Sequence, residues 1–265
     1  MTRSVHRRTL GVGLTVLALS LAACSDDAAE PAPDAPESPA ADAPESPDPE
    51  DTDPSEPDPV TSDNGAVEAD RQLAERAILR LDDFPPGWQE RVTQDEADEE
   101  SQARIAECAG YSFEALYGGG EQADSPTFVS PQDQEVRSSA TVHATDDQAA
   151  RRHGAITDPG TIDCIADEMG RAAALAGVQE GFEVLDLEIN RLSTSEFGNE
   201  TYGYRIMVEL SSRGMTVPVY FDIVGVRVGR VGVTVQASST FSPYFIQDLE
   251  DHVETVVSRI GRDVG

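Results

Sequence analysis

Apolar and polar residues alternate through the second half of the chain, a pattern typical of β-strands. From Phe182 to Leu192, Leu185, Leu187 and Ile189 share one face and charged residues take the other. The alternation recurs in three further segments, separated by turns at Arg213-Gly214 and Gly229-Arg230: residues 202–210, 217–223 and 231–235. This order predicts a four-strand antiparallel meander.

Helical periodicity appears on both sides of these strands. Thr145 is suited to cap a helix running through Ile156, and Thr161 a helix through Leu175, because their hydroxyls accept hydrogen bonds from the first helical amides. A last helix is predicted from Ser242-Pro243, since the first helical turn tolerates proline. Its apolar residues recur at three- and four-residue steps and predict one buried face: Phe245, Leu249, Val253, Val256 and Ile260.

A fold class follows from the order of these elements. The segment 136–145 also alternates and is predicted to join the same sheet, with Val136, Ser138, Ala140 and Val142 on one face. Helices clustered before and after a meander favour a layer of helices on a layer of strands. We therefore expect an α+β fold over residues 71–265: one domain, with an antiparallel sheet of about five strands and helices packed on one face.

Residues 1–23 have the pattern of a signal peptide. Arginines precede an apolar run, Leu10 to Leu21, which is too short to span a bilayer comfortably. The run ends in Leu21-Ala22-Ala23-Cys24, which resembles the lipobox of bacterial lipoproteins, where the thiol receives diacylglycerol and the chain is cut before it. The resemblance implies a lipid anchor on Cys24 and residence on the outer face of the cytoplasmic membrane. The alternative is an ordinary secretory peptide with a coincidental cysteine.

Residues 24–70 have the composition of a tether. From Ser25 to Asp70 there are ten prolines, sixteen acidic residues and no lysine or arginine. Such a segment cannot bury enough apolar surface to offset its chain entropy, so a disordered spacer is expected. The alternative is an acidic docking segment for a basic partner.

The net charge limits which partners the protein can bind, and the cysteine content bears on whether the protein lies in an oxidising compartment. The net charge of −31 predicts repulsion of nucleic acid and of anionic lipid surfaces, so no nucleic-acid partner is expected. Besides Cys24 the chain has two cysteines, Cys108 and Cys164, and an exported pair favours a disulfide. A redox pair or a metal site is the alternative, although redox motifs place the cysteines two residues apart and no zinc-ligand spacing is present.

No catalytic motif is present in the sequence. It lacks a G-x-S-x-G elbow, a phosphate-binding loop, H-E-x-x-H and S-x-x-K, so we expect no enzyme, no cofactor and no metal site. His143 is predicted on a strand and His153 on a helix. Both are interpreted as ordinary surface or hydrogen-bonded residues, because no nucleophile is marked out as a partner.

Three residues are weak candidates for binding. Trp88, the only tryptophan, ends the turn-like segment Leu81-Asp82-Asp83-Phe84-Pro85-Pro86-Gly87-Trp88, and it either forms a recognition loop or closes one end of the core. Arg227 and Arg230 flank a predicted hairpin tip. They either contact an anionic ligand or are solvated and paired with neighbouring acids.

Diffuse patterns over residues 72–260 resemble a group of actinobacterial lipoproteins. They are the segments LDDFPPGW (81–88), EVRSSATVHA (135–144), IDCIADEM (162–169) and VPVYFDIVGVRVGR (217–230). The chain looks most like the extracellular sensor-type domains of mycobacterial receptor kinases and related small lipoproteins. The resemblance implies an α+β domain with a disulfide that senses or binds outside the cell, without a kinase domain of its own.

The expected function is thus a lipid-anchored, non-catalytic binding or sensor-like module of the cell envelope. Its ligand is an unidentified envelope protein, polymer or lipid. One rival is a carrier that encloses lipid or glycolipid in a cavity between sheet and helices. The other is a hydrolase whose site has no recognisable motif; a cleft with a convergent nucleophile, base and oxyanion donors would favour it.

Overall fold

The computed structural model describes residues 64–91 and 99–261. The expected signal peptide, Cys24 and tether residues 24–63 lie outside the described residues. The helices are α1 (Asn64–Arg76), α2 (Glu99–Ala109), α3 (Phe113–Leu116), α4 (Asp146–Thr157), α5 (Pro159–Glu180) and α6 (Ile246–Gly261). The strands are β1 (Gln89–Arg91), β2 (Gly120–Asp124), β3 (Thr127–Val129), β4 (Glu135–His143), β5 (Glu183–Arg191), β6 (Glu200–Ser212), β7 (Met215–Val228) and β8 (Val231–Thr240). None of the described helices is long and apolar enough to cross a membrane.

One antiparallel sheet contains all eight described strands. Their order is β1-β3-β4-β8-β7-β6-β5, and β2 pairs with β4 on the edge that β3 also occupies. The α+β class is confirmed, as are the meander β5–β8 and the attachment of β4 to it through β8. The expectation of about five strands was wrong. The strands β1, β2 and β3 have three to five residues and are too short to show alternation.

The first face of the sheet packs against α1 and α6 and forms the main apolar core. On β4, Val136, Ala140 and Val142 point into this core, as the alternation predicted. On α6, four residues of the predicted stripe are fully buried: Leu249, Val253, Val256 and Ile260. Phe245 is not part of the stripe, because α6 begins one residue after it and leaves its ring 70% exposed.

The second face of the sheet packs against α4, so the expectation of helices on one face was wrong. Ala149 and Ile156 of α4 lie over Thr141 and His143, which alternate with the core residues of β4. The physical reason is visible in β7, where residues 217–226 are apolar at nearly consecutive positions. A strand of that kind needs cover on both faces. Helix α5 packs along β5 and α2.

A bulge in β5 changes which residues share a face. Val184 pairs with Leu210 and Asp186 with Glu209, so Leu185 is the extra residue. Its side chain is 49% exposed. The predicted inward set of residues 185, 187 and 189 was therefore wrong at its first position, because strict alternation cannot continue through a bulge.

Helix α5 begins before the predicted cap. Asp158 accepts a hydrogen bond from the Gly160 amide at 2.8 Å, and Pro159 takes the first helical position, where its missing N–H is not needed. Thr161 is therefore inside the helix. At the other end Gly181 adopts a left-handed conformation, φ 79°, which closes the helix.

Helix α1 extends further toward the N-terminus than the expected domain start at residue 71. It begins at Asn64, and Asp70 near its middle forms two hydrogen bonds with the Arg230 guanidinium at 2.5 and 2.7 Å. Residues of the acidic segment therefore take part in the packed domain from position 64 onward.

The predicted disulfide is present. Cys108 of α2 and Cys164 of α5 are bonded, with their α-carbons 5.8 Å apart. The bond joins two helices that also contact each other along their length. It restricts the unfolded chain, and the loop-entropy model gives a stabilisation on the order of 4 kcal/mol for a loop of this size.

A charged network joins the same two helices. Glu168 of α5, buried and 9% exposed at its side chain, accepts hydrogen bonds from Arg104 of α2 at 2.7 Å and from Arg171 at 2.6 Å. The Arg171 hydrogen bond is the largest cause of a strongly lowered pKa at Glu168, and the Arg104 hydrogen bond acts in the same direction. Two guanidinium groups thus hold this carboxylate ionised.

Because Glu168 has a lower pKa in the folded protein, its contribution to stability is present near neutral pH and is lost as the pH falls below the ordinary glutamate range. We expect Glu168→Gln to lower the free energy of unfolding at pH 7 by about 1–3 kcal/mol. The difference from wild type should shrink between about pH 4.5 and pH 2. Urea denaturation at several pH values measures this, with the exposed Glu107→Gln as control. A pH-independent difference would contradict the assignment.

Candidate functional site

Trp88 closes one end of the core and does not form a projecting recognition loop. Its ring lies 4.5 Å from that of Phe84 and 6.5 Å from that of His252, measured between centroids. Phe84 and His252 are both buried. The rigid turn with two prolines therefore positions Trp88 against α6, which is the packing alternative of the two that the sequence left open.

Arg227 and Arg230 are both paired with acids. Arg227 donates to the Glu200 carboxylate at 2.5 Å and to the Gly229 carbonyl at 3.0 Å. Arg230 binds Asp70 and also donates to the backbone carbonyl of His143 at 3.0 Å. The second of the two sequence alternatives thus holds for both side chains. Arg227 also lines a polar cavity, and Arg230 is bonded to the backbone of His143, which lines the same cavity.

A small cavity lies between the second face of the sheet and α4, and we call it the α4 cavity. Its volume is about 60 Å³. Its charged and aromatic lining groups are Arg152 and His153 of α4, His143 of β4, Tyr202 of β6 and Arg227 of β7. Hydroxyl groups complete the wall: Ser139, Thr141 and Thr234. The lining contains no carboxylate, although the chain has 50 acidic residues against 19 basic ones.

The Arg152 guanidinium is the distinctive group of the α4 cavity. Its Nη1 is buried and has no hydrogen-bond partner, and within residues 64–91 and 99–261 no carboxylate pairs with this side chain. Burial lowers the pKa of Arg152, whereas the nearby phenols of Tyr202 and Tyr117 act in the opposite direction. Arginine stays protonated in proteins, so a half-buried positive charge without a counter-ion from the described chain lines the cavity.

Both histidines of the cavity are driven toward the neutral form. Burial lowers the pKa of His143, and the nearby Arg152 charge lowers it further. Burial also lowers the pKa of His153. The Nδ1 atom of His143 lies 2.9 Å from the Gly119 carbonyl oxygen, so it must carry the proton and donate. Nε2 of neutral His143 is therefore a hydrogen-bond acceptor.

Tyr202 forms a wall of the cavity because its cross-strand partner is glycine. Tyr202 of β6 pairs with Gly225 of β7, and a Cβ atom at position 225 would lie 2.1 Å from the tyrosine ring. The ring thus occupies the space that a side chain on the neighbouring strand would fill. His153 of α4 packs against this ring with the centroids 5.3 Å apart. Burial raises the pKa of Tyr202.

A larger open cleft adjoins the α4 cavity. It has a volume of about 520 Å³ and is lined by residues 191–203 together with His153 and Thr157. His153 and Tyr202 line both spaces. The lining of the cleft is mainly polar, with hydroxyl and amide groups from Ser193, Thr194, Ser195 and Asn199.

The segment between β5 and β6 that forms this cleft is held by hydrogen bonds at several points. The Ser195 amide donates to Glu250 of α6 at 2.5 Å, and the Asn199 amide donates to the Arg227 carbonyl at 2.7 Å. Thr201 accepts from the Phe197 amide and donates to the Phe197 carbonyl. The cleft is therefore largely preformed, as small-molecule sites usually are.

The arrangement suits binding of a polar group more than metal chemistry. Among the described residues, no three histidine, cysteine or acidic side chains converge as a metal site requires. The α4 cavity instead offers one cationic donor, neutral imidazoles and hydroxyl groups. These groups provide hydrogen bonds in both directions, as donors and as acceptors.

His143 is hydrogen-bonded, as one of the two interpretations held, but the sequence analysis did not place His143 and His153 together in one cavity. A signal was present in the sequence, because Ala149, Arg152, His153 and Ile156 follow the i, i+3, i+4, i+7 spacing of one helix face. An arginine and a histidine on a stripe that also contains alanine and isoleucine indicate a polar group on the inner side of the helix.

Comparisons with known proteins give little further information. No protein-family model matches the chain, and no curated protein matches it significantly in sequence. Among solved structures, it is similar to the extracellular domain of PknH from Mycobacterium tuberculosis, with a TM-score of 0.36 and 11% sequence identity. The similarity covers 72% of this chain and 96% of that domain. A similarity at this level does not establish a shared fold or function.

If Arg152 is a buried cation without a partner, removing its charge should stabilise the domain. We expect Arg152→Met to raise the free energy of unfolding by about 1 kcal/mol in phosphate-free buffer, since the desolvation penalty of an unpaired group disappears. Arg151→Met, at an exposed neighbouring position, is the matched control and should change stability little. Urea denaturation followed by circular dichroism measures both. A clear loss of stability in Arg152→Met would show that the guanidinium has a stabilising partner.

Proposed function

We propose that this protein is a lipid-anchored, non-catalytic binding module on the outer face of the cytoplasmic membrane. Its ligand is a small polar molecule that binds in the α4 cavity and the adjoining cleft. The observation that carries the proposal is the half-buried Arg152, whose Nη1 is buried without a hydrogen-bond partner in the described chain and which lines a cavity of hydrogen-bonding groups. An isolated charge in such a position reduces stability and is characteristic of a functional site.

The location outside the cytoplasm is supported by two features. The lipobox-like sequence ending in Cys24 predicts lipidation, and the Cys108–Cys164 disulfide is typical of oxidising compartments. A signal peptide followed by a disulfide-bonded domain is a consistent combination.

The dimensions of the two spaces favour binding of a small ligand over lipid carriage. The α4 cavity, about 60 Å³, is far smaller than the roughly 300–1,000 Å³ of ordinary ligand pockets and cannot enclose an acyl chain. The cleft, about 520 Å³, falls within that range but is polar. A ligand with one group in the cavity and a polar remainder in the cleft fits both.

The hydrogen bonds of the histidines favour binding over hydrolysis. A nucleophile-and-base mechanism needs a hydroxyl or thiol within hydrogen-bond reach of an imidazole. In the described chain, His143 bonds to the Gly119 carbonyl through Nδ1 and no serine, threonine or cysteine is hydrogen-bonded to its Nε2, while His252 bonds to the Tyr244 hydroxyl. Neither arrangement activates a serine, threonine or cysteine nucleophile.

Lipidation is tested at the proposed acylation site. We expect Cys24→Ala to abolish incorporation of labelled fatty acid and to release the protein from the membrane or leave it unprocessed, because no acyl chain anchors it. Ser25→Ala, one residue further on, is the control and should remain membrane-bound. Fractionation of cells grown with labelled palmitate gives the answer. Normal acylation of the Cys24→Ala protein would rule out this anchor.

Ligand binding is tested on protein purified from its native membrane. We expect denaturation of the wild-type protein to release a small polar molecule in near-stoichiometric amount, and denaturation of Arg152→Met to release much less. Mass spectrometry of the released fraction measures both. A stoichiometric acyl lipid would support the carrier instead. Turnover of a released molecule by the purified protein would support the hydrolase.

A further inference from the structure

The donor and acceptor groups of the α4 cavity define the chemistry of the group that it binds, an inference that rests on the proposed binding function. The Arg152 guanidinium provides a charged fork of N–H donors, the geometry that matches phosphate and carboxylate oxygens. The Ser139 and Thr141 hydroxyls lie on the β4 face below it. An anionic group with several oxygen atoms would satisfy the buried Nη1, which lacks a partner in the described chain.

The hydrogen-bond acceptor in the same cavity, Nε2 of His143, favours an anion that carries a proton. Because His143 donates through Nδ1 to the Gly119 carbonyl, its Nε2 presents a lone pair. This atom lies toward Gly232 of β8, which also lines the cavity. A fully deprotonated anion would be repelled by the lone pair, whereas an anion that carries its own proton donates to it. Inorganic phosphate near neutral pH has both features, a phosphate monoester has both only as its monoanion because its second pKa is about 6, and sulfate lacks the proton.

The volume is consistent with a single group of this kind. The volume of about 60 Å³ is several times the roughly 10–15 Å³ that one enclosed water molecule needs, so there is space for one small tetrahedral group. We propose that the α4 cavity binds the phosphate group of a small molecule, with Arg152 as the cationic donor and His143 Nε2 as the acceptor of the phosphate proton. The group belongs either to inorganic phosphate or to a phosphate ester whose remainder occupies the adjoining cleft.

The first test is ligand-dependent stability in phosphate-free buffer at pH 7.5, with ionic strength held constant by NaCl because the chain is strongly acidic. We expect inorganic phosphate to raise the thermal midpoint of wild type, and sulfate to require at least a tenfold higher concentration for the same rise. Arg152→Met should lose the response to phosphate, and Arg151→Met should keep it. A wild type that responds to no phosphate compound, or an Arg152→Met variant that responds like wild type, overturns the proposal.

The second test separates the role of the acceptor from that of the charge. In His143→Asn, the shorter amide can still donate to the Gly119 carbonyl, but the Nε2 acceptor is gone. We expect titration calorimetry to show weaker phosphate binding, unchanged or tighter sulfate binding and thus at least a tenfold loss of selectivity. Undiminished selectivity for phosphate in this variant would overturn the assignment of His143.

The source of the phosphate group is resolved by comparing inorganic phosphate with glycerol 3-phosphate in the same titration at about pH 6, where a protonated form of the ester is also present. Tighter binding of the ester indicates a ligand that extends into the cleft, and tighter binding of inorganic phosphate indicates the free ion. The proposed function fails separately from this inference. If the native protein releases a neutral molecule and its stability does not respond to phosphate, the phosphate inference is contradicted but the binding function is not. If phosphate binding depends on Arg152 but Cys24 is not acylated, only the proposed lipid anchor is contradicted.

Discussion

The requirement that the central strands be covered on both faces determines the rest of this domain. Strands β7 and β8 carry apolar residues toward α1 and α6, and β7 carries others toward the second face. Exposing either face to water would be unfavourable, because each Å² of exposed apolar surface costs roughly 25 cal/mol. The helices therefore divide into two layers, with α1 and α6 on one side and α4 on the other. The fold has three layers because the sheet has two faces to bury.

The two faces are not equivalent, and the difference explains where a site can form. The first face is a dry core in which side chains fill the space. Under α4, β4 contributes hydroxyl groups and an imidazole, and the helix contributes an arginine and a second imidazole. Polar groups packed together in this way leave space and unsatisfied hydrogen-bonding capacity, which a well-packed apolar layer does not. The disulfide and the Glu168 network join α2 to α5 and stabilise the helices beside this layer.

Much of the sheet could be predicted from the sequence, because a two-residue period is a direct consequence of strand geometry. The inward positions of β4, from Val136 to Val142, were correct for that reason. The period does not reveal whether the opposite face is covered, so the sequence could not show that His143, 2% exposed, is buried. Which residue pairs with a charged side chain also depends on the tertiary structure. Arg227, a weak binding candidate for which pairing with acids was the alternative, is paired with Glu200, whereas nothing local in the sequence indicated that Arg152 would lack a carboxylate partner among the described residues.

The position of α1 has a mechanical consequence. Tension applied to the chain before Asn64 reaches the domain first at this helix, which packs on β2, β4 and α6. Its Asp70 transmits the load to Arg230 at the β7–β8 turn, and the same guanidinium holds the carbonyl of His143. A pull on the N-terminal segment therefore acts on the packed contacts of α1 with β2, β4 and α6, and the Asp70–Arg230 ion pair connects the same helix to the strand end beside the α4 cavity. The end of β4 is thus one of the points at which a mechanical force on the N-terminal segment enters the sheet.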